Sequence, residues 1–342
     1  MKKLLNTLYV TTQGAYLSKE GECVLVSVER QVRLRLPVHT IGGIVCFGNV
    51  SCSPFLMGFC AEKDVGLSFL TENGRFLARI KGEVSGNVLL RRQQFRMADD
   101  EIISASVARS CLIGKIANSR TVLQRFLRDH GSDLDEPVRN VSGRLEKTFD
   151  RLKRAMALDE LRGIEGDSAG DYFSVFDNLI TAQKEDFMFS CRNRRPPLDK
   201  VNALLSFLYT LLAHDVSSAL ESVGLDPAVG FLHRDRPGRD SLALDIMEEM
   251  RSFIADRLAL SMINLRQIAA GEFKTSESGA VTMDDNARKK ILVAYQERKR
   301  DEIMHPYLNE KISVGLIPFV QSLLLARFIR GDIDAYPPFI WR

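Results

Sequence analysis

The sequence has no CxxC pair and no zinc-ribbon spacing among its six cysteines (Cys23, Cys46, Cys52, Cys60, Cys111, Cys191). That argues against a zinc module or a disulfide framework; the thiols read as small buried hydrophobes of a protein in a reducing cytoplasm. No apolar run approaches the roughly 20 residues that cross a bilayer, so no membrane partner is expected. The start, Met1-Lys2-Lys3-Leu4-Leu5, is charged like a signal peptide, but polar Asn6, Thr7 and Thr11 interrupt its apolar region. A mature N-terminus is the expectation. Walker and βαβ-embedded GxGxxG motifs are missing, which argues against nucleotide triphosphatases and dehydrogenases. Internal repeats and low-complexity segments are also missing. Charge is nearly balanced: 47 Lys+Arg against 44 Asp+Glu gives +3. So small a total does not establish a nucleic-acid partner, and the local clustering of basic residues matters more.

With 342 residues, 45% of them hydrophobic and 27% charged, the chain is an ordinary globular protein able to form two domains. The first 86 residues carry strand signals. Thr7–Thr11, Cys23–Val28, Val32–Pro37 and Ile41–Phe47 are rich in β-branched and apolar residues. In Val32–Pro37, apolar and basic residues alternate, predicting a half-buried strand with Arg33 and Arg35 on its open face. Ser53-Pro54 has the chemistry of a helix N-cap and first turn, and Glu72-Asn73-Gly74 that of a hairpin. A linker is expected at about Gly82–Gly86. Beyond it the apolar spacing becomes three and four, predicting helices over 103–116, 123–130, 138–157 and 198–220. A hairpin is expected over 272–283, then helices over 288–303 and 313–329 and an irregular tail around Tyr336–Phe339. The predicted fold class is α+β: a β-rich domain, 1–86, and a larger all-α domain, 87–342, with a short β-hairpin insertion.

Chemistry concentrates in Gly230-Phe231-Leu232-His233 and the following run, Ser241–Arg251, which carries Asp245 and Glu248. At about 100° per residue, Asp245, Glu248, Glu249, Ser252 and Asp256 fall opposite Ile246, Met247, Met250, Phe253 and Ile254. That pattern describes a solvated acidic face of an amphipathic helix, or half of a metal site if His233 folds back onto it. Glu165, between Gly163 and Gly166, is either a third ligand or part of a helix C-terminal turn. One imidazole with two or three carboxylates suits Mg²⁺ or Mn²⁺ better than zinc. Arginines cluster at 192, 194 and 195 and again at 234, 236, 239 and 251; their forks match phosphate oxygens.

Four motifs resemble the CRISPR-associated spacer-acquisition integrase/endonuclease family, the first-numbered Cas proteins. They are Gly163-Ile164-Glu165-Gly166 with Tyr172-Phe173, then Arg194-Arg195-Pro196-Pro197-Leu198-Asp199-Lys200-Val201-Asn202, then Gly230-Phe231-Leu232-His233, then Leu242–Arg251. The resemblance covers essentially the whole chain, and its ending, from His305-Pro306-Tyr307-Leu308 to Tyr336-Pro337-Pro338-Phe339, is most like the type I-C branch. It implies a homodimerising β-rich domain and a helical catalytic domain that holds a metal through Glu165, His233 and Glu248, with Asp245 auxiliary. It also implies metal-dependent insertion of DNA prespacers into a CRISPR repeat by 3′-hydroxyl transesterification, action on double-stranded and branched DNA, and bridging of two dimers by the second-numbered Cas protein. Arg192, Arg194, Arg195, Arg236, Arg239, Arg251, Tyr172 and Asn202 are the candidate DNA contacts. Two alternatives stand beside it: a metal-dependent nuclease of branched DNA in repair, and a non-catalytic DNA-binding scaffold.

Overall fold

The computed structural model describes residues 5–80, 82, 87–130, 136–155 and 157–341. Apart from Gly82, the expected linker lies outside the described residues. The chain forms two compact units: Met1–Gly86 with Met283–Arg300, and Asn87–Thr282 with Asp301–Arg342.

The first unit holds two four-stranded sheets. One has strand order β1 (Asn6–Val10), β5 (Ile41–Phe47), β7 (Gly66–Leu70), β8 (Phe76–Ile80); the other has β4 (Gln31–Pro37), β3 (Cys23–Val28), β2 (Tyr16–Glu20), β6 (Ser51–Cys52). β5 runs parallel to both neighbours, and its buried Ile44 and Cys46 join Leu17, Val24, Leu56, Phe59 and Leu67 in one core. α1 (Pro54–Glu62) starts as its sequence predicts: Ser53 Oγ accepts from Leu56 N at 3.2 Å, and Pro54 occupies the first turn, where no intrahelical donor is needed. β4 departs from expectation. As an edge strand it is exposed from Gln31 to Arg35 on both faces, with Val32 56% and Leu34 39% accessible. Alternation signals a half-buried strand only when a second layer covers one face.

The helix α9 (Asp285–Arg300), assigned from sequence to the helical domain 87–342, belongs to the first unit. Its buried Ala287, Ile291, Leu292 and Tyr295 supply an apolar face, Gln296 Nε2 donates to Thr7 O at 3.2 Å, and Arg288 donates to Asn73 Oδ1 at 3.2 Å. Periodicity defines such a face without naming what it packs against.

The second unit is a helical assembly of α2 (Val88–Asp99), α3 (Glu101–His130), α4 (Glu136–Arg154), α5 (Leu158–Ser174), α6 (Lys200–Ser222), α7 (Ser241–Glu248), α8 (Arg257–Asn264) and α10 (Ile317–Arg330). The runs at 103–116 and 123–130 are one continuous helix, α3, which packs against α4, α5 and α7. α6 has the length and hydropathy to cross a membrane, yet Leu204, Leu205, Leu208, Leu212 and Val216 are buried among α7, α8 and α10. It is the core helix of this unit. Asp199 caps it, accepting from Asn202 N at 2.7 Å. The hairpin falls at β9 (Phe273–Thr275) and β10 (Val281–Met283), and a second small one joins β11 (Glu302–Met304) to β12 (Lys311–Ser313).

Candidate active site

The acidic residues after Ser241 are not a solvated face. Asp245, Glu249 and Asp256 are at most 1% exposed, as is Glu248. α7 ends at Glu248, and the chain continues through a π-helical turn, Arg251–Asp256. A single 100° projection therefore fails across this stretch, and carboxylates that it aligned on one side point into different parts of the interior. π-turns of this kind occur often at functional sites.

Asp245 organises the histidine. Its Oδ2 accepts from the backbone N–H of Phe231 (2.6 Å) and Leu232 (3.0 Å); Oδ1 accepts from His233 N (3.0 Å) and lies 2.6 Å from His233 Nδ1. The wrap requires Gly230, since a Cβ there would lie 2.8 Å from Ser241 Cβ and 3.0 Å from Asp245 Oδ2. Four donors use up the lone pairs of one carboxylate. Asp245 is thus committed to the loop, which corrects its assignment as an auxiliary metal ligand. It fixes the His233 tautomer with Nδ1 toward Asp245 and Nε2 turned away from it, the arrangement found around metal-bound imidazoles. Asp245→Ala is expected to weaken Mn²⁺ binding by about 10–100-fold in calorimetric titration. An unchanged affinity would remove Asp245 from this role.

Glu165 lies mid-helix on α5, which runs straight through Gly163, Gly166 and Gly170, so the alternative of a helix C-terminal turn does not apply. One turn earlier, Arg162 donates from Nε to Leu232 O at 2.8 Å and pairs with Asp159 at 2.7 Å. Arg234 reaches the same Asp159 oxygen at 3.0 Å. The histidine loop is thereby tied to the helix that carries Glu165. Glu165 and Glu248 meet on Lys115 of α3: its ammonium pairs with Glu165 Oε1 and lies 2.9 Å from Glu248 Oε2, while Arg251 Nη1 holds Glu248 Oε1 at 2.9 Å. Burial pushes the Glu248 carboxyl up, but Arg251, Lys115 and the nearby His233 outweigh it and hold the group down at about 2. Glu248 is a buried carboxylate at any physiological pH.

Sequence reasoning missed Lys115 and Arg162. A usable signal for Lys115 existed: it shares a helix face with Leu112 and Ser119, positions the helix buries, and an enclosed ammonium demands carboxylate partners.

Among the described residues, no three His, Cys, Asp or Glu side chains converge as a ready-made metal cluster. Instead, the Lys115 ammonium stands between the two carboxylates as a monovalent stand-in cation. The donor set around it, two carboxylates with the imidazole nearby, is that of a hard divalent ion such as Mg²⁺ or Mn²⁺. Glu248 Oε2 is also buried without an aligned hydrogen bond. The residues fit such an ion in kind.

A cavity of ≈ 570 Å³ opens beside this cluster, lined by Lys115, Glu165, Glu248, Arg192, Arg194, Arg251, Tyr209 and Asp256, among others. Tyr209 donates to Asp256 Oδ1 at 2.6 Å; burial raises Asp256 to about 6 despite that bond and the Arg192 and Arg251 charges. Arg192 and Arg251 each sit 5.2 Å from the Tyr209 ring centroid. The candidate DNA residues divide accordingly. Arg192 and Arg194 line the cavity, and burial followed by the charges of Arg236, Arg194 and Arg195 lowers the pKa of Arg239. The structure therefore brings the 192–195 and 236–239 runs, distant in sequence, into one basic cluster. Arg251 is instead pinned to Glu248 and Tyr209. Asn202 is fully buried, its side chain bonded to Arg192 (2.6 Å), Asn193 N (3.0 Å) and Cys191 O (2.8 Å). It shapes the arginine segment from within and has no face for DNA. Tyr172 is 3% exposed, ringed by Phe173 and Phe176, and forms cavity wall; it cannot stack on a base.

The profile of the family "CRISPR associated protein Cas1" matches residues 8–297. CRISPR-associated endonuclease Cas1 1 of Chlorobaculum tepidum is 59% identical over 343 residues, covering 100% of both chains. Two solved structures share the fold. A casposase bound to integration product superposes with TM-score 0.85 at 21% identity, covering 99% of this chain and 95% of that one. A chain of a Cas6-RT-Cas1–Cas2 complex gives TM-score 0.84 at 20% identity, covering 100% of this chain and 36% of the other. The family profile over most of the chain and the whole-length agreement in sequence lead to one conclusion: the chain belongs to the CRISPR-associated Cas1 family.

Proposed function

We propose that this protein is a divalent-metal-dependent DNA endonuclease/integrase that joins the 3′-hydroxyl of a short DNA prespacer to a CRISPR repeat. The observation that carries this reading is the meeting of Glu165 and Glu248 at a cavity that Arg192 and Arg194 also line, with His233 held by Asp245 close enough to act on the Glu248 charge. Glu165, Glu248 and His233 Nε2 would hold Mg²⁺ or Mn²⁺. When bound, the ion supplies positive charge to the attacking and leaving oxygens of a phosphodiester. The chain's own part is to bind and orient: Arg192 and Arg194 receive the phosphate at the cavity, and Arg195, Arg236 and Arg239 extend that contact along the strand. The 3′-oxygen forms a new P–O bond as the P–O3′ bond of the repeat breaks. The proton lost by the nucleophile is balanced by one gained by the departing hydroxyl. One phosphodiester is exchanged for another, so no external energy source is required. With water as the nucleophile, the same site hydrolyses DNA, including branched forms.

The curated relatives are named endonucleases, and one structural neighbour belongs to a complex named for both Cas1 and Cas2; these names support DNA as substrate and the second-numbered Cas protein as a partner, whose place in this reading is to bridge two dimers. The exposed edge strand β4, with Val32 and Leu34, supports a homodimer formed through the first unit. In this reading the protein works in the cytoplasm, and the resemblance of its ending supports the type I-C branch.

The deciding experiment incubates the protein and its Cas2 partner with a repeat-bearing plasmid and a labelled prespacer in Mn²⁺. Joined half-site products favour the integrase, and hydrolysis alone favours the repair nuclease. If Glu165→Ala and His233→Ala both leave Mn²⁺ binding unchanged, the non-catalytic scaffold is the correct description. DNA affinity should fall steeply with salt. Replacing Arg194, Arg195 and Arg239 with alanine should flatten the log–log salt slope by about 1 per residue, since each phosphate contact releases roughly one counterion. An unaltered slope would place the DNA elsewhere.

A further inference from the structure

Lys115 occupies a position that the family chemistry does not explain. Its side chain is 12% exposed, and its ammonium touches both Glu165 and Glu248, the pair assigned to the metal. Desolvating an ammonium costs several kcal/mol, so this placement depends on both carboxylates. Conversely, the two carboxylates repel each other unless a cation lies between them. A divalent ion held by the same oxygens would stand within a few ångströms of the ammonium, and like charges that close are strongly unfavourable. One of the two cations must leave.

The two basic residues on Glu248 differ in their freedom to do so. Arg251 is fixed at Glu248 Oε1 and stacked beside the Tyr209 ring. Lys115 has a four-carbon stem with rotatable bonds and borders the ≈ 570 Å³ cavity, which gives its ammonium somewhere to go. We propose that Lys115 is the resident counter-cation of the metal-free centre: it gathers and neutralises Glu165 and Glu248, and its ammonium is displaced from them when a divalent ion binds. Arg251 is the charge that stays. This inference rests on the metal reading above and goes beyond it by naming what the metal must exchange with. Lys115 is a positioning residue for the ligands, and its charge also opposes metal binding.

The experiment uses the full chain in chelator and under MnCl₂ titration, following thermal unfolding and calorimetric Mn²⁺ affinity for wild type, Lys115→Met, Lys115→Gln and Glu165→Ala. Lys115→Met should unfold at a lower temperature than wild type in chelator, because Glu248 keeps only Arg251. It should bind Mn²⁺ at least about tenfold more tightly, a coupling of ordinary size for two competing ligands. The gap in unfolding temperature should therefore close or reverse at saturating Mn²⁺. Lys115→Gln, which keeps a donor without the charge, should show the same tightening and serves alone if the methionine variant does not fold. A merely structural lysine would lower the unfolding temperature and leave Mn²⁺ affinity unchanged or weaker; that result overturns the proposal. The two readings fail separately. No Mn²⁺ binding to wild type sinks the metal assignment itself, whereas wild-type binding that is lost in Glu165→Ala but unchanged in both Lys115 variants sinks only the role of Lys115.

Discussion

Glu165→Ala is expected to lower DNA cleavage and joining by at least about 10³-fold, well beyond the ~10–100-fold typical of a group that only supports a metal ligand. Its carboxylate is 29% exposed and its helix is anchored elsewhere, by buried Leu161, Ile164 and Ser168. The fold should therefore survive: Lys115 keeps Glu248 as a partner, so the loss of stability should stay below the about 3–5 kcal/mol of a buried pair broken outright. Glu248→Ala should abolish the same activity but behave differently as a protein. Glu248 is 1% exposed, and its removal leaves Lys115 and Arg251 as neighbouring cations in the interior. Breaking one partner out of a buried ion pair costs about 3–5 kcal/mol. The site thus has one ligand that can be deleted cleanly and one that is part of the core. Turnover on a defined DNA substrate, measured beside urea unfolding of each variant, checks both halves. Cleavage by Glu165→Ala at the wild-type rate would dismiss the metal site. Equal stability of the two variants would dismiss the account of Glu248.

Glu249→Leu should strongly destabilise the second unit. This carboxyl straps the C-terminal tail to α3 and α7. Its Oε2 accepts from Phe339 N (2.7 Å) and Gln321 Nε2 (2.9 Å), its Oε1 accepts from Tyr336 OH (2.7 Å), and its backbone O accepts from Asn118 Nδ2 (2.6 Å). Asn118 in turn accepts from Trp341 N at 2.7 Å. Leucine leaves the Phe339 amide and the Tyr336 hydroxyl buried without this acceptor. At about 1–3 kcal/mol for each orphaned donor, and with a reshaped cavity, the expected loss is about 3–5 kcal/mol. Glu249→Gln keeps one oxygen acceptor and should cost about 1 kcal/mol, the net value of an ordinary hydrogen bond. Burial raises the Glu249 carboxyl from 4.5 to about 8, against the pull of its donors. Its contribution to stability is therefore complete in acid below 4.5 and is lost as pH rises through about 8, a slope that Glu249→Gln should remove. Chemical denaturation at pH 5 and pH 9 tests the sign. Greater stability at pH 9 in the wild type, without that trend in the variant, would reverse it.

Much of the fold is legible in the chain because its signals are short-ranged. The Ser53-Pro54 cap depends only on the first turn of α1. Gly74, at φ +85°, closes the β7–β8 hairpin within the expected Glu72-Asn73-Gly74 turn. Helical spacing located α4, α6 and α10 to within a few residues. Two readings failed where the answer depended on distant packing. α9 carried a sound amphipathic pattern but no statement of its partner, and it joined the sheet unit. The acidic run after Ser241 was projected as one regular helix, whereas the chain breaks after Glu248 and turns through a π-helical segment. The tail at Tyr336–Trp341 is irregular as expected, yet Tyr336, Phe339 and Trp341 are buried, held by Asn118, 223 residues from Trp341, and by Glu249, 87 residues from Tyr336.

By itself the sequence determined the α+β composition, which follows from local spacing. The resemblance of its motifs gave the family, and that resemblance singled out Glu165, His233 and Glu248 as candidate ligands. Only the tertiary structure decided that Asp245 serves His233 rather than a metal, that Asn202 and Tyr172 face inward, and that two arginine runs form one cluster. It also placed Lys115 between Glu165 and Glu248. The physical reason is the same throughout: hydrogen-bond valence and desolvation determine what a polar side chain can do, and both are set by which distant segments surround it.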